Sequence, residues 1–154
     1  MKYLLVTLLL IVSTVSFGQQ LTLNYLISLK NKSLDEFETI FLKKGWNPEE
    51  ETESNDIWVT KIFTKRDEHW YYLSLSESES GKKRIKFGLT NTKLYLSIKQ
   101  QAKANLFVYL ETFKTSKGTY SRYVKGNILI DFESSNFTGM HTSKDDYTIF
   151  IDFN

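Results

Sequence analysis

Few residues in this chain combine the type and the spacing that chemistry demands. There are two histidines, His69 and His141, and no cysteine. A zinc centre takes three or four ligands, so two imidazoles without a thiolate would need carboxylates to complete one. They read instead as surface side chains, one at the start of a strand and one in a loop. Acidic residues gather at Glu49, Glu50 and Glu51 and again at Asp145 and Asp146. Both clusters lie in polar stretches with no apolar pocket to drive two carboxyl pKa values apart, as acid–base catalysis requires. The Asp145-Asp146 pair does not match the spacing of an EF-hand loop. No G-x-S-x-G elbow, phosphate-cradling glycine loop or H-E-x-x-H helix is present. Catalytic residues, metal and cofactor are therefore read as none. A hydrolase using the loop carboxylates or His141 is kept only as the least favoured of three functional readings.

What remains is aromatic. Trp70 and Tyr72 alternate with Tyr71, Leu73 and Leu75, so they share one strand face with Ser74 and Ser76. Trp58 and Thr60 share a face on the preceding strand. If those faces pair, Trp58, Trp70 and Tyr72 make a patch flanked by hydroxyls, the composition of a binding surface. These three are the candidate binding residues. The competing arrangement puts helix 34–44 over this face and Trp58 and Trp70 in the core. It is preferred, because Ile57, Val59 and Phe63 need burial too.

The elements that must position these residues follow from periodicity. Leu21–Leu29 reads as a short helix. Ser33 and Glu36 form a capping box, and Leu34, Phe37, Ile40 and Phe41 then fall on one helical face. Asp35 and Glu36 in the first turn and Lys43 and Lys44 in the last suit the helix dipole. Gly45 is placed as a left-handed stop, with Trp46 folding back onto the core. After Pro48, Glu49–Glu53 reads as a solvated loop. Strands are expected at 57–64, 69–76 and 84–89, with a polar hairpin loop at 76–82. Ile85, Phe87 and Leu89 point inward, and Arg84, Lys86 and Gly88 outward.

Thr92 is expected to cap a second helix carrying Leu94, Tyr95, Ile98 and Ala102 on one side, stopping at Asn105. Strands follow at 106–113, 119–125 and 128–133. Gly126-Asn127 forms a tight turn between the last two. Ser134–Asp146 reads as a long polar loop, and Tyr147–Phe153 as a final strand paired inside the sheet. The two halves, 33–89 and 92–153, echo each other. Phe37 and Ile40 line up with Tyr95 and Ile98, and Gly45-Trp46 with Asn105-Leu106. The expected fold is α+β: an antiparallel sheet with two or three helices packed on one face.

The N-terminus adds an address. Lys2 precedes a run of Leu, Val and Ile, followed by Ser16-Phe17-Gly18, so residues 1–18 read as a cleaved secretory signal peptide and 19–154 as a single domain. That run is about half the roughly 20 residues a spanning helix needs. The expected location is periplasmic or extracellular, with no stable membrane insertion after cleavage. Without cysteine the fold has no disulfide and must hold on its core. Charge is nearly balanced, 20 Lys and Arg against 18 Asp and Glu, with no long basic stripe, which argues against nucleic acid as a partner. The motifs Asn31-Lys32-Ser33 and Asn136-Phe137-Thr138 match glycosylation sequons, but Ser33 is better explained as a helix cap.

The leader ending in Ser16-Phe17-Gly18-Gln19 resembles those of exported Bacteroidota proteins. The capped helix, Gly45-Trp46, the stretch Tyr123–Phe132 and the terminal YTIFIDF resemble small uncharacterised periplasmic or secreted α+β proteins of that group. At the level of fold alone, the helix-plus-sheet repeat is also similar to β-lactamase-inhibitor-like proteins, two αβ units side by side. Neither resemblance implies an activity or residues to carry over. The expected function is a non-catalytic exported protein that binds another protein or an envelope component. The second reading is an inhibitor or immunity-type protein that blocks a hydrolase.

Overall fold

Alternation in the strands and one apolar stripe on each helix leave a single way to build the core. The computed structural model describes residues 21–49, 58–139 and 142–153; the leader, residues 50–53 of the acidic loop, Ile57 and His141 lie outside them. Among the described residues the elements run α1 (Leu23–Ser28), a 3₁₀ turn (Leu29–Asn31), α2 (Leu34–Lys43), β1 (Asn47–Pro48), β2 (Trp58–Arg66), β3 (Trp70–Ser78) and β4 (Lys83–Leu89). Then come α3 (Thr92–Ala104), β5 (Val108–Lys114), β6 (Thr119–Lys125), β7 (Ile128–Gly139) and β8 (Thr142–Phe153). The fold is α+β, one open antiparallel sheet in the order β1-β2-β3-β4-β8-β7-β6-β5.

All three helices bury their apolar residues on the same side. Leu23, Leu26, Phe37, Phe41, Tyr95 and Ile98 pack against Phe63, Leu73, Phe87, Ile130, Phe132, Ile149 and Ile151 in one core. The sheet residues in that list share a single face, because each strand contributes alternate positions. The preferred placement of α2 is corrected here. The helix covers the face of Tyr71, Leu73 and Leu75, and Trp58, Trp70 and Tyr72 lie on the other one. The reason is volume: Phe37 meets Phe63 edge to face and Phe41 meets it tilted, with ring centroids 5.6 and 6.0 Å away, and Leu73, Ile85 and Phe87 are wholly buried beside them.

The sheet consists of two meanders, β1–β4 and β5–β8, joined edge to edge by the antiparallel ladder of β4 and β8. That ladder pairs Ile85 with Ile151, Lys86 with Phe150 and Phe87 with Ile149. It is therefore symmetric about the Lys86–Phe150 pair, and a local twofold axis through that pair exchanges the meanders. The same axis matches Phe63, Leu73 and Phe87 to Tyr123, Ile130 and Ile151, which occupy like rungs.

Several boundaries differ from the sequence reading. The cap of α3 is Asn91, whose Oδ1 accepts from the Leu94 N–H at 3.0 Å; the shorter Thr92 side chain is already inside the first turn. The left-handed residue after α3 is Leu106, at φ 63°, and Asn105 stays at φ −85°. This lets the Phe107 N–H reach the Ala102 carbonyl at 3.0 Å, as the Trp46 N–H reaches Phe41 after Gly45. Gly45-Trp46 thus corresponds to Leu106-Phe107, one residue later than spacing suggested, and Phe37 to Ile98. Residues 134–139 and 142–146, expected in a loop, are strand, since β7 and β8 pair out to Gly139 and Thr142; backbone pairing between the two strands outweighs the polar side chains. In the same way β3 extends to Ser78, where the Ser78 Oγ and backbone close the 78–82 turn.

Candidate functional site

No described element covers the second face of the sheet. Trp58, Thr60 and Ile62 of β2 lie beside Ser78, Ser76 and Ser74 of β3, with Arg84, Lys86 and Gly88 of β4 next across. Phe150 and Asp152 of β8, Asp131 and Glu133 of β7, Tyr120 and Arg122 of β6 and Phe113 of β5 complete the face. The sheet curls so that residues from β2 to β5 line one trough of about 460 Å³, with Tyr72, Lys86 and Phe150 near its middle.

All three residues singled out by sequence are on this face, but they do not form one patch. Trp70 and Tyr72 stack, centroids 6.0 Å apart at 29°. Antiparallel pairing carries Trp58 to the far end of β3, opposite Ser78, where the Arg84 guanidinium lies over its ring at 5.1 Å. Trp70 is 41% exposed, and its ring lies along Gly88, where an added Cβ would come within 3.5 Å of its Cζ3.

Sequence reasoning missed the centre of the face. The Lys86 Nζ stands 5.1 Å from the Tyr72 centroid and 5.9 Å from that of Phe150. Among the described residues Lys86 forms no ion pair. Its neighbours are committed. Arg84 pairs with Asp152. Arg122 grips Asp131 through two bonds of 2.8 Å and reaches Glu111 at 3.4 Å, and the Asp131 carboxylate holds its guanidinium pKa up. Phe113 stacks on Tyr120 at 5.1 Å. The Tyr120 hydroxyl donates to Glu133 at 2.6 Å, and burial first, then that carboxylate, pushes its pKa up to about 12. Outward alternation had already marked Arg84 and Lys86. The same alternation in YTIFIDF marks Phe150, which is the signal that could have completed the face.

The chemistry available is recognition. Rings with cations over them offer cation–π and stacking contacts, and Thr60 and Ser76 supply hydroxyls that bond each other at 2.9 Å. Among the described residues no three His, Asp or Glu side chains gather to hold a metal ion, and no helix is long and apolar enough to cross a membrane. His69 lies in the bend just before β3, near the Tyr71 ring, centroids 6.3 Å apart. Asp67 accepts the His69 backbone N–H at 2.9 Å. Comparison with protein-family models, curated proteins and solved structures finds no match to this chain.

Proposed function

We propose that this is an exported, non-catalytic protein that binds another protein through the open face of its sheet. The observation that carries the reading is Lys86, an ammonium without a carboxylate partner among the described residues, held between Tyr72 and Phe150 at the middle of an uncovered face. Trp, Tyr and Arg are the residues that dominate protein interfaces, and this face concentrates them. Seven strands from β2 to β5 span roughly 30 Å, and seven rungs about 23 Å, or on the order of 700 Å². That is close to the roughly 800 Å² one partner contributes to a standard interface. A carboxylate on the partner, seated against Lys86, would complete the centre, while the paired arginines give shape and register.

The test is retention from an envelope extract of the native host on the immobilised chain starting at Gln19. The expected result is one specific protein held by the wild type and by the helix-side variant Leu96→Ala, and held at least about tenfold less by Lys86→Glu and Tyr72→Ala, a loss on the scale of one hot-spot contact. Equal retention by all four proteins, or none by the wild type, would remove the reading. If the retained protein is a hydrolase, its activity with and without the bound chain separates an inhibitor from a passive binder. An envelope polysaccharide or lipid retained in its place would transfer the same face to an envelope component.

A further inference from the structure

On the helix side of the sheet, at the end away from Trp58, a cleft of about 1100 Å³ opens between the C-terminal end of α2 and the N-terminal half of α3. Its floor is apolar and aromatic. Trp46 and Tyr71 meet there with centroids 6.3 Å apart, and Tyr71 stacks parallel on Phe87. Its rim is cationic: among the described residues Lys43, Lys44, Lys65 and Lys93 line it, against a single carboxylate, Asp67. Asp67 already accepts the His69 backbone N–H, and Lys44 donates to the Tyr25 hydroxyl at 3.0 Å. Among the described residues Lys43, Lys65 and Lys93 form no ion pair. The first turn of α3 carries Lys93 and no acidic residue, so nothing in that helix offsets the charge.

Like charges around one cavity repel and raise the local concentration of anions. Here they surround a floor in which Tyr71 is half-buried and Trp46 is 6% exposed. Lysine binds phosphate as a compact point charge, and several ammonium groups around one cavity attract a multiply charged oxyanion more than a single carboxylate. We propose that this cleft binds a ligand that carries a phosphate or sulfate group on an aromatic or apolar body, with Lys65 and Lys93 holding the anion and Trp46 and Tyr71 receiving the body. The site lies on the opposite side of the sheet from the open face and stands or falls separately from the protein-binding reading.

The experiment uses the chain starting at Gln19 with Trp58→Phe and Trp70→Phe. Trp46, one of three tryptophans, then becomes the sole tryptophan, and it lies at the cleft floor. Phenyl phosphate and phosphatidylglycerol vesicles are the probes, with phenol and phosphatidylcholine vesicles as their counterparts without net charge. The expected result is a saturable change in Trp46 emission with a charged probe and little with its counterpart. The apparent affinity falls about tenfold in Lys65→Gln and in Lys93→Gln, the scale of one charge-assisted hydrogen bond, and is unchanged in Lys117→Gln, an exposed lysine in the turn between β5 and β6 that lines neither cleft. A response to phenyl phosphate identifies a soluble ligand, and a response to the vesicles alone identifies a lipid headgroup. The proposal is overturned if neither charged probe gives a response, if the uncharged counterpart responds equally, or if the response survives both lysine changes. Because all three lysine changes are at the surface, an unaltered far-UV spectrum in each keeps the comparison interpretable.

Discussion

Three side chains, Ser33, Glu36 and Tyr120, carry local energetics that can be measured one at a time. The Ser33 Oγ accepts the Glu36 N–H at 3.2 Å, and Glu36 returns the bond to the Ser33 N–H at 3.0 Å. Ser33→Ala should cost roughly 1 kcal/mol in urea unfolding. The Glu36 pKa is lowered, first by the Ser33 backbone bond and then by Lys32, so its contribution is present above the ordinary value of 4.5 and is lost as pH falls through the lower folded value. Glu36→Gln should remove that acid limb. Tyr120 behaves in the opposite sense. Its folded pKa is raised to about 12 from 10.0, so its stabilisation is complete below pH 10 and disappears as pH rises toward 12. Tyr120→Phe should flatten this alkaline limb. It should also cost about 1–3 kcal/mol at neutral pH, because a buried Glu133 loses its donor.

At the scale of elements, the ends of α2 and α3 adopt one geometry with unequal residues. Gly45, at φ 72°, occupies the left-handed position freely, whereas Leu106, at φ 63° and 78% exposed, gains no burial there. Leu106→Gly should raise the thermal midpoint, a gain of about 1 kcal/mol, and Gly45→Ala should lower stability by about as much. This pair also shows how far the elements were legible. Gly45 announced its conformation by type. Leu106 did not, because its strain is compensated by a tertiary contact, the burial of Phe107, that no local pattern records. Residues 134–146 were opaque for a related reason: polar side chains suit a loop as well as a strand, and only the partner strand decides. Face assignment failed over α2 because Trp58 and Trp70 look like core residues by type. The period-two pattern placed them together correctly but could not say which face the helix would take.

At the scale of the molecule, the question is whether the two meanders form one cooperative body. The core runs without a break through β4 and β8, whose Ile85, Phe87, Ile149 and Ile151 are fully buried, and helices from both halves cover it. Such continuity predicts a single transition. The distribution of fluorophores makes this testable, because Trp46, Trp58 and Trp70 all fall in the first meander and its helix, and the second has none. Ile130, in β7, is fully buried at the position the local axis matches to Leu73. Ile130→Ala removes three methyl or methylene groups from the second meander and should cost about 2–5 kcal/mol. With one core, the tryptophan emission, which reports only the first meander, should shift to lower urea by the same amount as far-UV ellipticity, which reports both. An emission midpoint that stays at the wild-type value while ellipticity moves would mean that the β4–β8 ladder joins two bodies that unfold separately. The open face, which crosses that ladder at Lys86 and Phe150, could not then be held as one rigid surface.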